Sequence, residues 1–305
     1  MTASERRFPD FLLIGAPKAG TTAFHRALRR HPRLFLTAPK EPTFFSFAGA
    51  APRFAGPGGE MYARAYIHDE RAYRSLFAAC PPDAVAGEAS VMYLTCERAP
   101  VAAAGSVPDA KLIAILRHPV DRAYSNYLHL VRDGNEPCPD FESAWNADER
   151  RHAEGWAPGT CYRRLGCYAA GLSRWLEHYP RERLLVLWYE DWCARPAEVL
   201  RETCRFLGVD PMGEPILERD TVSARQPRWS WLQRRMAADS QVRCWAQRVL
   251  PLALRDAITA PIRALNQRPV PPLDPQTRAR MAAAYRDDLN QLEALTGRDL
   301  SAWKS

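Results

Sequence analysis

The sequence predicts an α/β protein in three layers, a central parallel sheet with helices on both faces, extended by a helical C-terminal portion. Three observations predict it. Short apolar runs alternate with stretches of helical periodicity, the pattern of parallel strands joined by crossover helices. A glycine-containing loop joins the first apolar run to the first helical stretch. With 47% hydrophobic and 25% charged residues over 305 positions, the chain can bury a large core, which excludes wholesale disorder and fibrous repeats.

Strands are expected at 11–14 (FLLI), 85–87 (VAG), 112–116 (LIAIL) and 184–187 (LLVL). Helices are expected at 21–30, 71–79, 120–132, 168–178 and 197–207, where apolar residues recur at helical spacing. The Pro and Gly cluster at 50–59 and the stretch 135–160 read as surface insertions. A further helical pattern at 228–267 is interrupted by Pro251 and Pro261, and a Pro-rich linker at 269–275 leads to a last helix over 276–296. The expected organisation is a single domain over 1–305, with 225–268 a basic helical insertion.

No run approaches the roughly 18 apolar residues that a membrane span needs, and the apolar stretch 11–16 is too short for a secretory leader. A soluble, cytoplasmic protein is expected. The eight cysteines form neither a C-x-x-C pair nor a Cys/His zinc pattern, so they are read as reduced thiols. Only Lys18, Lys40, Lys111 and Lys304 are lysines among the 42 basic residues. In a chain that writes almost every cation as Arg, a retained Lys marks a place where a compact ammonium matters. The net charge of +7 is also local: 225–268 holds nine Arg against two Asp, an excess equal to that of the whole chain.

Gly15-Ala-Pro-Lys-Ala-Gly-Thr-Thr22 follows the first strand and opens the first helix. Two glycines allow a tight turn whose N–H groups point at an anion held at the positive helix end. The spacing of Gly15 and Gly20 is that of the nucleotide-triphosphatase phosphate loop, but Thr21 stands where that motif requires Lys, and the lysine lies inside the loop at 18. No apolar strand ends in an Asp placed to hold magnesium. A phosphate ester of lower charge, bound without metal, suits this P-loop-like turn better than a metal-bound triphosphate.

A second anion site is expected at Leu116-Arg-His-Pro119, where a strand ends and Pro119 opens a helix. Arg117 then stands at the carboxyl edge of the sheet, where open α/β folds bind ligands, and Ser125 follows about two helical turns on. A guanidinium fork with a hydroxyl suits a phosphate monoester.

These two motifs resemble those of the sulfotransferases that use 3′-phosphoadenosine 5′-phosphosulfate, closest in pattern to the bacterial and heparan-sulfate-type branch. Lys18, Ala19, Gly20, Thr21 and Thr22 match the 5′-phosphosulfate loop, and Arg117 and Ser125 match the 3′-phosphate motif. The resemblance continues through Leu165-Gly-Cys-Tyr168, Tyr189-Glu-Asp191 and Phe206-Leu-Gly208 to Leu300-Ser-Ala-Trp303, and so covers most of the chain. It implies in-line transfer of a sulfuryl group to a hydroxyl of a small-molecule, glycoside or lipid acceptor, in natural-product or glycan modification, with no metal. It also implies that Lys18 stabilises charge on the reacting group and that Tyr168, with Arg163, lines the nucleotide site. Arg228 falls where relatives carry a basic loop over the cofactor.

A base must lie within hydrogen-bond reach of the acceptor proton. In the heparan-type branch that base is a Glu with two Phe three residues on, and Glu41 with Phe44 and Phe45 fits. Glu88, in the strand before the 3′-phosphate motif, is the second candidate. Heparan-type relatives carry Lys after that Glu, whereas this chain has Ala89, so one cation is missing or is replaced by Lys40. This departure weakens the case for a polyanionic acceptor.

The basic amphipathic pattern over 228–266 suits a helix packed on its own domain, or a peripheral membrane contact. It carries no nucleic-acid fold signature, so no nucleic acid is expected as partner. Two other classes remain open: a kinase-like phosphoryl transferase on the same fold, and a nucleotide-binding adaptor without activity. Oligomeric state is not legible.

Overall fold

The computed structural model describes residues 8–211, 225–227, 267–270 and 272–304. Strand β1 (Phe11–Gly15) has every residue buried, because neighbours flank it on both edges and helices cover both faces. Strands β2 (Leu34–Leu36), β3 (Val85–Ala89), β4 (Lys111–Leu116) and β5 (Leu184–Trp188) complete a parallel sheet in the order β2-β3-β1-β4-β5. The register pairs Phe11 with Gly87, and a Cβ at 87 would lie 2.1 Å from the Phe11 ring, so only glycine fits there. From β1 the chain runs to the edge strand β2, returns to β3 beside β1, and then crosses to β4 on the other side. The crevice at the carboxyl ends of β1, β3 and β4 is therefore the topological switch point, where ligands bind in such sheets.

The helices in the first half are α1 (Thr21–Leu28), the single turn α2 (Phe44–Phe47), α3 (Gly59–Ala65), α4 (Glu70–Ser75) and α5 (Arg98–Ser106). Those in the second half are α6 (Pro119–Asp133), α7 (Phe141–Asn146), α8 (Asp148–Ala153), α9 (Tyr168–Leu176), α10 (Tyr189–Ala194) and α11 (Pro196–Leu207). Helix α6 begins on Pro119 and stops at Gly134, whose φ of 79° is open to glycine at little strain. The four expected strands and five expected helices of the body are present, within a few residues at their ends. Strand β2 escapes sequence reading because three residues are too few to show a period.

The two expected insertions hold more structure than their composition announces. Arg151 and Glu136 form a bidentate pair buried to 0% exposure, with Arg151 N–H groups at 2.9 and 2.6 Å from the carboxylate, and the Tyr162 hydroxyl bonds the same carboxylate. Removing one partner of such a buried pair costs about 3–5 kcal/mol, because the other charge stays buried alone. This pair holds α8 to the segment that precedes α7, and Tyr162 joins it from just beyond the stretch. The insertions also meet: the Ala55 N–H donates to the Gly155 carbonyl at 2.9 Å, and Trp156 lies so close to Gly56 that a Cβ there would be 2.4 Å from its ring.

The expected last helix is two, α12 (Pro275–Ala283) and α13 (Arg286–Thr296). Between them Tyr285 drops into the core, fully buried, and its hydroxyl donates to the Arg163 carbonyl at 3.1 Å. Continuous helical periodicity cannot report that a side chain is more stable where the helix must bend to place it. Asp288 of α13 accepts the Tyr168 and Ala169 N–H groups at 2.7 and 3.1 Å, capping α9 from far along the chain. Strands β6 (Arg225–Pro227) and β7 (Gln267–Pro269) pair antiparallel, which brings the two ends of the basic segment together. Arg228 and the basic pattern over 228–266 lie outside the described residues.

Candidate active site

The loop after β1 reaches the amino end of α1 through Gly20, whose φ of 76° puts it in the left-handed region. No side chain caps α1, so its first-turn N–H groups have no side-chain acceptor, and they open at the carboxyl edge of the sheet. Lys18 takes a left-handed φ of 65° as well, an uncommon conformation for a residue with a Cβ and one that concentrates at functional sites. Burial, then the charge of Arg132, lowers the Lys18 ammonium from 10.5 to about 8; Arg117 and Lys40 add to this and Asp133 opposes it. Among the described residues no carboxylate forms a salt bridge with that ammonium. An uncapped helix end beside a half-buried cation fits an anion.

Arg117 directly follows β4 at the same edge of the sheet. Its guanidinium donates to the Lys18 carbonyl at 3.0 Å and lies 4.5 Å from the centre of the Tyr189 ring. Tyr189 and Trp192 of α10 also close against Gly20, where a Cβ would lie 3.1 Å from both rings. Ser125 sits half-buried on α6. His129 and Arg132 follow it at helical spacing on the same helix, and both act electrostatically on or with Lys18. Burial, then Lys18, lowers His129 to about 4, and burial, then Lys40, lowers His25 to about 4. Both imidazoles are therefore neutral at pH 7 beside the cationic loop.

The structure separates the two candidate carboxylates. Glu41, also at a left-handed φ of 66°, lies at the mouth with 30% of its side chain exposed. Its Oε2 accepts the Val91 N–H at 2.8 Å, and its Oε1 pairs with the Lys40 ammonium. That ammonium also donates to Thr21 Oγ1 at 3.4 Å, so one side chain links Glu41 to the phosphate loop. Glu88 lies beneath, at 0% exposure, bonded by Tyr73 and Ser90 hydroxyls at 3.2 and 2.8 Å. Burial raises it from 4.5 to about 7.

Tyr168, which the resemblance placed against the nucleotide, is fully buried under Arg117 and donates its hydroxyl to the Arg117 carbonyl at 2.8 Å. It shapes the crevice through that backbone, because a buried tyrosine hydroxyl takes the nearest carbonyl. Arg163 pairs with Glu149 on the surface. Sequence reasoning missed Tyr189, Trp192, His129 and Arg132 as site residues; the last two had a legible signal in their helical spacing from Ser125. It also missed the rings of Phe47, Phe54, Tyr62 and Tyr66, which pack on one another at 5.4 to 6.4 Å beside Glu41. Burial, then the charge of Asp133 at Tyr62 and of Glu41 at Tyr66, keeps these hydroxyls protonated.

Comparison with known proteins agrees with this geometry. A family model described as the sulfotransferase family matches residues 98–213. A crystal structure of a sulfotransferase from Alicyclobacillus acidocaldarius superposes with a TM-score of 0.76 at 32% identity, covering 98% of this chain and 100% of that one. The human bifunctional heparan sulfate N-deacetylase/N-sulfotransferase 3 is 29% identical over 97% of this chain and 31% of its own length. Mouse heparan sulfate glucosamine 3-O-sulfotransferase 6 is 30% identical over 67% of this chain and 53% of its own. The chain thus spans about a third of the length of the bifunctional relatives and about half of the other.

Proposed function

We propose, because the chain belongs to the sulfotransferase family, that it moves a sulfuryl group from 3′-phosphoadenosine 5′-phosphosulfate to an acceptor hydroxyl, with Glu41 as the base. The co-substrate supplies a sulfur atom open to in-line attack and a bisphosphate leaving group. The 15–22 loop, the amino end of α1 and Lys18 bind the phosphosulfate end, where preorganised N–H dipoles meet developing charge without reorganising. Arg117 and Ser125 take the 3′-phosphate, and the Tyr189 ring beside Arg117 offers the base a flat neighbour. Glu41 accepts the hydroxyl proton as the acceptor oxygen bonds to sulfur and the bond from sulfur to the phosphate oxygen breaks. Lys18 neutralises the charge left on that oxygen.

One observation carries this reading: the Lys40 ammonium joins the Glu41 carboxylate to Thr21 of the phosphate loop, so base and donor loop share one small space. Exposure favours Glu41 over Glu88, since a base must touch the acceptor, and Glu88 is closed off by hydroxyls and rings. The rings of Phe47, Phe54, Tyr62 and Tyr66 support a small-molecule, glycoside or lipid acceptor that presents an apolar face. The named mammalian relatives act on heparan sulfate; Ala89, with no charge to offer a polyanion, argues for a less charged acceptor here.

Calorimetry with adenosine 3′,5′-bisphosphate against ATP tests the donor, followed by transfer of labelled sulfate into acceptor mixtures. The bisphosphate is expected to bind more tightly than ATP without added metal. Tight binding of triphosphates with no heat from the bisphosphate would overturn the proposal.

A further inference from the structure

Glu88 has no part in the chemistry proposed above, yet it is a wholly buried carboxylate at the carboxyl end of β3. An ionised carboxylate accepts hydrogen bonds and donates none. Tyr73 donates to its Oε1 and Ser90 to its Oε2, and the Tyr93 hydroxyl faces the same carboxylate. Each hydroxyl has one proton. With that proton turned to Glu88, Ser90 Oγ has lone pairs left and accepts the Thr43 N–H at 2.9 Å. Tyr93 accepts the Phe45 N–H at 3.1 Å in the same way. Both N–H groups belong to the turn that follows Glu41, in which Thr43 is also left-handed at φ 56°. The same strand end holds Glu41 itself: the Ala89 carbonyl accepts the Glu41 N–H at 2.9 Å.

We propose that Glu88 is a positioning residue whose carboxylate orients the Ser90 and Tyr93 hydroxyls to hold the 41–45 turn, and so aims Glu41 at the acceptor. This rests on the reading of Glu41 as base. The groups facing Glu88 are Tyr73 from α4, Ser90 and Tyr93 from the segment after β3, and Glu41 from the turn, with Lys40 beside Glu41. Burial is the largest influence on Glu88 and raises it to about 7, against the pull of the three hydroxyls. A proton added to Glu88 replaces an acceptor with a donor that faces another hydroxyl proton. A proton on Oε2 turns the Ser90 hydroxyl away, and Thr43 loses its acceptor. Turnover therefore falls as pH drops through about 7, while donor binding, on the other side of the crevice, does not.

Steady-state kinetics across pH, on the whole chain, tests this with Glu88→Gln, Ser90→Ala and Glu41→Gln. Glu88→Gln is expected to lower kcat by about 10–100-fold, the loss typical of a misplaced catalytic group, with the donor KM within about twofold of wild type. Its kcat should also lose the limb near pH 7. Ser90→Ala keeps the carboxylate and cuts one link, so a smaller loss of about tenfold is expected, and the double variant should be no worse than Glu88→Gln. A wild-type kcat and pH limb in Glu88→Gln, or an equal loss in donor binding, overturns the proposal. If Glu88→Gln does not fold, Ser90→Ala decides, and wild-type turnover by it is equally fatal. Normal turnover by Glu41→Gln, with Glu88→Gln inactive, instead overturns Glu41 as base and makes Glu88 the base itself.

Discussion

In the proposed reaction, the donor side and the base side of the crevice are built by different means. On the donor side each strand hands its ligand-facing group directly to the helix that follows: Lys18 between β1 and α1, Arg117 between β4 and α6. Loop N–H groups and two side chains set at strand ends make up that side, and a few consecutive residues suffice to place each. On the base side Glu41 has no helix end to stand on. Ala89, Ser90, Val91 and Tyr93, about 50 positions along the chain, hold Glu41 and the turn after it. A local site tolerates change elsewhere in the fold. A borrowed one moves with every residue that supports it.

That contrast can be broken experimentally. Glu41→Gln should have the largest effect, a loss of about 10²–10⁴-fold in kcat, with bisphosphate affinity little changed because Glu41 meets the phosphate loop through Lys40 and not directly. Lys18→Ala should cost about 10²–10³-fold in kcat, as for the loss of one preorganised charge-stabilising donor, and should weaken bisphosphate binding as well. An unchanged bisphosphate affinity in Lys18→Ala, measured by calorimetry, would separate Lys18 from the donor side.

The pH dependence of binding sharpens the comparison. The free Lys18 ammonium is lowered to about 8 by burial, and a bound phosphate favours its charged form. Binding above pH 8 must then take up a proton, so bisphosphate affinity should fall by up to about tenfold per pH unit. Lys18→Met should flatten that slope. The smallest effect belongs to Glu88. Its native value of about 7 lies above the unfolded 4.5, so between these pH values the native state binds more protons, and its contribution to stability falls as pH rises. Denaturant titration of wild type against Glu88→Gln should show a difference of at most about 1.4 kcal/mol per pH unit in that window. A wild type that instead gains stability relative to Glu88→Gln as pH rises through it would reverse the sign.

Much of the donor side is legible in the order of residues alone. The run FLLI followed by a loop with Gly15 and Gly20 announces a strand, an anion loop and a helix, and Pro119 announces where α6 begins. The base side is legible only as a pair of alternatives, Glu41 or Glu88, because residue type does not report burial. Tyr168 shows the same limit: nothing in the sequence announces that its hydroxyl serves the Arg117 carbonyl. Nor can composition show that the stretch 135–160, rich in polar residues, is anchored by a buried Arg151–Glu136 pair.

What the sequence by itself determined is what depends on neighbours along the chain: the strands, most helices and the turns that follow β1 and β4, since periodicity and backbone chemistry act over a few residues. What only the tertiary structure decided is which carboxylate faces outward, which hydroxyls hold it and where the last helix breaks. Those outcomes depend on groups brought together from distant positions, where burial and hydrogen bonding choose among side chains that look alike in sequence.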